Sequence, residues 1–159
     1  MPGDTCMTDE TFLIDTNIVM YAAGKTHPYK SACAGIISGI ADGSFHRNVG
    51  VPVTDTEVFQ EILYRYALVG KWQTGIVICR HLLELGLEIL SISSDDVLAM
   101  IALAEVYKGK TISPRDLVHV SVMTNHGIKK IVSVDSHFDL IHEVIRVDPQ
   151  ELRTPLGLS

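Results

Sequence analysis

The stretch "TFLIDTNIVMYAAG", Thr11 to Gly24, decides how this chain is read. A short apolar run, "FLI", stops abruptly on Asp15. Thr16 and Asn17 follow, and then a second apolar run begins. A short apolar run bounded by polar residues reads as a buried strand. An ionised carboxylate at the edge of a core is costly unless something pairs with it. Asp15 therefore needs a partner, and the rest of the chain supplies other acids in comparable places.

The segments that follow alternate in period. "HPYKSACAGIISGIADG" carries apolar residues at helical spacing, with Pro28 near its start and Asp42-Gly43 at its end. "VGVPV" is a second strand. "TDTEVFQEILYRYALVG" is a helix that Thr54 or Asp55 can cap, with Glu57 completing a capping box with Thr54. Val58, Ile62, Leu63 and Tyr66 form its apolar stripe, and Gly70 closes it. Another helix ends at Gly86, "LEILSI" is a strand, and "SSDDVLAMIALAEVYKG" is a helix ending at Gly109. "SPRDLVHVSVMTNHG" has a capping Ser, Pro at the first helical position, Asp116 in the first turn and Gly127 at its end. "IKKIVSVD" is a strand ending on Asp135, and "VIRVD" a short final one. Strands alternating with helices imply a parallel, doubly wound α/β sheet with helices on both faces. The expected organisation is a leader at 1–10, one domain over 11–150 and a tail at 151–159.

Parallel sheets place their sites at the carboxyl ends of the strands. Two strands here end on Asp, at Asp15 and Asp135; if they are neighbours, both side chains enter one crevice. Asp116 lies one helix turn in, just upstream of the second of these strands. Glu57 or Glu61, on the helix after "VGVPV", supplies a fourth acid. Each has an ordinary structural role open to it, as a cap, a dipole partner or a surface charge; the joint pattern carries more than its parts. Converging carboxylates repel and titrate upward unless a cation joins them. Oxygen-only ligands suit Mg²⁺ or Mn²⁺, which also bind phosphate and activate water against phosphodiesters. Asn17 either holds Asp15 in position, touches water at such an ion, or only caps a turn. His119, one turn past Asp116, reads as a helix-surface or packing residue. His137 sits beside Asp135 and so near any site there. Arg65 and Arg115 are candidates for phosphate contact.

A hydrophobic fraction of 47% with 20% charged residues belongs to a folded globular chain and excludes disorder. The formal net charge of −6 lowers the expectation of a passive nucleic-acid-binding module without excluding a nucleic-acid substrate. Cys6, Cys33 and Cys79 show no CxxC or zinc spacing and read as reduced thiols. No apolar run is long enough to span a membrane, and the acidic N-terminus is no signal peptide, so a cytoplasmic protein is expected.

Taken together, "FLIDTNIVMYAAG", "VPVTDTEVFQEILYRY" and "SPRDLVHVSVMTNHGIKKIVSVDSHFD" resemble the PIN domain family, which includes VapC-type toxins. The resemblance spans about residues 11–148 in the right order. It implies a three-layer α/β/α domain with a central parallel sheet and a metal-dependent ribonuclease site using Mg²⁺ or Mn²⁺. The acidic quartet would be Asp15, Glu61, Asp116 and Asp135, with Glu61 in "QEIL" matching better than Glu57. Asn17 and Ser133 would support it. An RNA substrate, a small antitoxin partner and a homodimer are implied as well. One departure concerns the last motif: where the family often has T-x-D-x-D-F, this chain has Ser133 to Phe138 with His137 in place of the second Asp. Asp139 is nearby but off register. Two other readings fit the residues less well. A non-catalytic PIN-like scaffold leaves the four acids without a role. A haloacid dehalogenase-type phosphatase needs a second Asp two residues after the first, where this chain has Asn17.

Overall fold

The structure, a computed structural model, describes residues 9–159; Cys6 and most of the expected leader lie outside the described residues. In chain order the elements are β1 (Thr11–Ile14), α1 (Thr16–Ala23), α2 (Lys30–Asp42), α3 (Ser44–Asn48), β2 (Val51–Asp55), α4 (Glu57–Leu68) and α5 (Trp72–Glu84). Then come β3 (Glu88–Leu90), α6 (Ser94–Tyr107), α7 (Pro114–Asn125), β4 (Lys130–Val132) and β5 (Ile145–Val147), with 3₁₀ turns at Ser136–Leu140 and Pro149–Leu152. The five strands form one parallel sheet in the order β3-β2-β1-β4-β5. This is the doubly wound architecture expected from the alternation of periods.

The central strand explains why "FLI" is unbroken. Side chains along a strand alternate between faces, and both faces of β1 are covered. Phe12 and Ile14 enter a core shared with Ile18, Ile36, Phe45, Val58 and Ile62 from α1 to α4. Leu13 points the other way, into a core with Val120 and Met123 of α7 and Leu103 of α6. A strand buried on both faces has no polar alternation to show.

The chain leaves β1 toward β2 and β3 on one side, and β4 and β5 add on the other. The direction of winding therefore reverses between β1 and β4, which are hydrogen-bonded neighbours with Ile14 opposite Val132. Crevices form at the carboxyl ends of strands at such a reversal. The sheet thus opens its cleft where Asp15 and the residues after β4 lie.

Some local expectations change. The Thr54–Glu57 capping box does not form: Thr54 stays in β2 and its hydroxyl donates to the Ile14 carbonyl, 3.0 Å away. Asp55 receives the Glu57 N–H instead, at 3.1 Å. The strand expected to end on Asp135 ends at Val132, because the Asp135 carboxylate accepts the His137 N–H (2.8 Å) and turns the chain into a 3₁₀ turn. The apolar run after Asp15 is α1, with Asp15 itself as its cap. At the other end, Leu152 is buried and Leu156 packs on the α1–α5 side of the core.

Gly50 marks a close approach between chain segments just before β2. A Cβ there would run into the Glu10 carbonyl and the Phe12 ring, and the next residue, Val51, donates its N–H to that same carbonyl at 2.8 Å. Gly50→Ala is therefore expected to destabilise the domain by about 1–3 kcal/mol, measured by urea unfolding at unchanged m-value.

Candidate metal centre

Asp15 sits at the carboxyl end of β1, 5% exposed, with each side-chain oxygen engaged. Oδ1 accepts the Thr16 N–H at 2.7 Å. Oδ2 accepts the Ser133 hydroxyl at 2.6 Å and the Asn17 amide at 3.1 Å. Asn17 also donates to Ser133 Oγ at 3.0 Å and accepts the Val134 N–H at 3.2 Å. Ser133 Oγ in turn receives the Asp135 N–H at 3.0 Å. Asn17 and Ser133 therefore tie the end of β1 to the turn after β4, and the loop carrying Asp135 is fixed relative to Asp15.

The four acids come from four elements. Asp15 follows β1, Glu61 lies on the second turn of α4, Asp116 opens α7 and Asp135 opens the 3₁₀ turn. Two groups of metal-capable atoms result. Asp15, Glu61 and His119 offer ligand atoms within 4.8 Å of one another, all three residues buried. Asp116, Asp135 and His137 do the same at the more open side. Glu61, Asp116, Asp135 and His137 line one cleft of about 440 Å³ with Arg65, Arg115 and Lys110. That volume is of the size that takes a small organic group beside an ion.

The remaining sequence candidates fall into place around these. Glu57, at the first position of α4, is half-buried and outside both groups. Asp139 forms a two-pronged pair with Arg146 at 3.0 and 3.1 Å. Arg65 lies 3.0 Å from Glu61, and Arg115 lies 3.8 Å from it. Asp116 also serves its helix, closing a capping box with Ser113.

Sequence reading missed one pair. His119 is not a surface or packing residue: it is 1% exposed, and its Nδ1 lies 2.6 Å from Asp55 Oδ2. Its Nε2 is 3.7 Å from Asp15 Oδ1 and makes no hydrogen bond. The available signal was an ionisable side chain inside the apolar run "LVHVSVM" of α7. Its partner Asp55 is too far along the chain for any spacing rule to join them.

Burial pushes the Asp15 carboxyl up to about 6; His119 and Ser133 oppose that rise, and Glu61 and Asp116 add to it. Burial acts against a charged His119, but the Asp55 hydrogen bond and charge, with Asp15 and Glu61, carry it up to about 9. Asp116 is raised, by burial first and by Asp135 among the lesser causes. Two carboxyls raised chiefly by burial and in part by neighbouring acids mark a site short of positive charge. The donor set therefore fits a divalent cation.

A larger groove, about 980 Å³, adjoins the cleft and shares Arg65 with it. Asn17, Tyr21, Lys25, His27, Tyr66 and Lys71 are among its lining residues, and no Asp or Glu is.

The α/β/α layering and the strand-end acidic cleft define the class of domain, and comparison with known proteins gives the family. The PIN domain family model matches residues 12–144, so the chain belongs to the PIN domain family. Ribonuclease VapC13 of Mycobacterium tuberculosis is 32% identical over 127 residues, covering 80% of this chain and 92% of the relative. A VapC ribonuclease of Mycobacterium bovis matches with the same figures. Among solved structures, VapBC2 of Rickettsia felis bound to a promoter DNA fragment aligns with a TM-score of 0.66 at 18% identity, covering 87% of this chain and 98% of that one. FitAcB of Neisseria gonorrhoeae aligns with a TM-score of 0.63 at 18% identity, covering 89% and 99%. At that identity the structural likeness speaks for the fold. Among the described residues no helix is long and apolar enough to cross a membrane.

The raised groups give the metal-free protein a definite pH dependence. Asp15 binds its proton more tightly folded than unfolded, so the resulting stability is full below about pH 4 and is lost as pH rises through about 6. The His119 proton stabilises fully below about pH 6.5, and that contribution is lost as pH rises through about 9. In EDTA, thermal melts followed by circular dichroism should decline across both windows. His119→Gln should flatten the upper one.

Proposed function

We propose that this protein is a metal-dependent endoribonuclease that hydrolyses RNA phosphodiester bonds and acts as the toxin of a toxin–antitoxin pair. Asp15, Glu61, Asp116 and Asp135 hold Mg²⁺ or Mn²⁺. The observation that carries the reading is the convergence of Glu61, Asp116 and Asp135 on one cleft, with the buried Asp15 grouped beside Glu61, in a chain whose sequence relatives are named ribonucleases.

A divalent cation bound there supplies Lewis acidity toward water and phosphate oxygen. The chain's own groups do the rest. Ser133 and Asn17 hold Asp15 in one orientation through the 2.6 and 3.1 Å bonds. Asp116 and Asp135 face the open side of the cleft, where a carboxylate oxygen can accept a hydrogen bond from the attacking water and orient it. Arg65 and Arg115 offset the Glu61 charge and stand at the rim to meet phosphate. Arg115 is braced over the Tyr64 ring at 5.1 Å. His137 beside Asp135 (3.1 Å) keeps that acid oriented. The rim cations and the acid-free groove suit a polyanion such as RNA, entering past Lys110 on one side and past Lys25 and Lys71 on the other.

The exposed apolar residues Leu68 and Trp72, at the junction of α4 and α5, and Leu98 and Ile101 of α6 offer surface for a second copy and for an antitoxin. The Rickettsia felis relative of this fold was solved as a VapBC complex.

Two tests follow. Asp116→Asn and Asp135→Asn should each lower RNA cleavage by about 100-fold or more while leaving the melting temperature in EDTA unchanged or higher. Cleavage of an RNA panel in Mn²⁺, Mg²⁺ and EDTA measures this; a wild type that cuts nothing in either metal would sink the nuclease reading. Lys25→Ala/Lys71→Ala, in an Asp116→Asn background, should flatten the salt dependence of binding to an unpaired oligouridylate. The slope of log K against log salt should fall by about 1.4, at ~0.7 per phosphate contact on a single strand.

A further inference from the structure

We infer that His119 Nε2 is a direct ligand of the cation held by Asp15 and Glu61, so that the inner half of the centre is a mixed nitrogen–oxygen site. The inference rests on the metal-dependent reading above and adds a residue and a metal preference to it.

Three observations carry it. First, His119 Nε2 is buried and makes no hydrogen bond; among the described residues only Thr16 Oγ1 shares that condition. A buried polar nitrogen left without a partner costs about 1–3 kcal/mol, so a histidine kept purely for packing would be expected to satisfy both of its nitrogens. Second, the other nitrogen is firmly held. Nδ1 lies 2.6 Å from Asp55 Oδ2, and the second Asp55 oxygen is fixed by the Glu57 N–H at 3.1 Å. An Nδ1–H donated to a carboxylate places the free lone pair on Nε2 and raises its basicity, the arrangement seen behind metal-bound histidines. Third, Nε2 faces the acids. It is 3.7 Å from Asp15 Oδ1, too long for a hydrogen bond. A ring nitrogen of His119 lies within 4.8 Å of a Glu61 carboxylate oxygen as well. Two atoms each about 2.1 Å from one ion stand about 3.0–3.4 Å apart, so a shift of a few tenths of an ångström brings the Asp15–His119 pair to ligand spacing, and the Glu61 side chain closes the remainder by rotation.

A proton on Nε2 would also answer the acids, as an imidazolium beside Asp15. Proton and cation exclude each other at that atom, and the two readings separate experimentally. The ligand chemistry gives a further handle. Imidazole suits first-row transition ions, whereas Mg²⁺ prefers oxygen ligands alone and keeps its waters. The inner site should accordingly favour Mn²⁺ or Co²⁺ over Mg²⁺.

The test loads the full chain with Co²⁺ and records its proton spectrum in water. A ligated His119 gives one hyperfine-shifted, exchange-protected imidazole N–H, that of Nδ1 bonded to Asp55, and His119→Gln abolishes it. Calorimetry should show Mn²⁺ affinity falling about 10- to 100-fold in Asp55→Asn and at least as far in His119→Gln. Mg²⁺ affinity should change about threefold or less. If His119→Gln does not fold, the wild-type Co²⁺ spectrum alone decides the point. Absence of the shifted signal, with Mn²⁺ bound equally by wild type and His119→Gln but not by Asp15→Asn, would leave the metal centre standing and overturn the His119 assignment. A wild type that binds neither ion would overturn both.

Discussion

A buried carboxylate at the end of the central strand is the constraint on which the rest of the molecule depends. The Asp15 N–H is still part of the β1–β4 ladder, bonded to the Val132 carbonyl at 3.1 Å, while its side chain already caps α1. The residue thus belongs to sheet, helix and cleft at once. Taking an ionised carboxylate out of water is costly, and several small terms offset that: the N-terminal dipole of α1, three hydrogen bonds, and the charges across the cleft. The shortest of these bonds exists only because β4 lies beside β1, since Ser133 comes from the far side of the reversal. The order of the strands and the chemistry of the site are therefore the same fact seen at two scales.

That unity explains which parts could be read from the sequence. "FLID" and "SPRD" are local signals: an apolar run cut by an acid, and a cap followed by Pro and an acid. Each is set by a few adjacent residues, and each is found where the spacing puts it. The glycines that close helices were legible for the same reason; Gly43 and Gly70, for instance, adopt positive φ. The failures are non-local. Thr54 faces two hydrogen-bonding options, a capping box with Glu57 or the Ile14 carbonyl across the sheet, and the sheet wins. Asp135 opens a turn rather than ending a strand because Ser133 and Asn17, the latter a hundred or so residues upstream, hold the loop that carries it. The Asp55–His119 pair has no local signature beyond one histidine among aliphatics. The four acids were legible as a set only because each lies at or near an element end; their approach to one another is a property of the fold.

The electrostatics resolve an apparent conflict. A chain of net charge −6 is a poor candidate for holding a polyanion, yet the charges are segregated. The acids are drawn inward to the cleft floor, and the cations ring it. Arg65 and Arg115 stand over Glu61, Lys110 lies on the same rim, and Lys25 and Lys71 border a groove that no acid lines. Field falls off with distance and screening, so what an approaching phosphate senses is the rim, not the total. The two arginines also serve the metal-free protein, because they neutralise an acid that would otherwise repel Asp15.

The Asp55–His119 pair shows the same economy one layer deeper. A fully buried ion pair is a weak source of stability; an apolar pair of similar volume is often as good or better. Its presence beneath the cleft therefore points to something an apolar pair could not supply. The geometry names it: Asp55 at the end of β2 orients a ring on α7, and that ring presents its unbonded nitrogen to the acid at the end of β1. The ends of two strands and one helix meet around a single ring. A packing residue would need none of this alignment, whereas an atom that must meet a cation beside Asp15 and Glu61 needs all of it. The cleft floor is thus built in two layers, carboxylates that face the cation and offset its charge, and a carboxylate-held imidazole that adds a nitrogen donor beneath them.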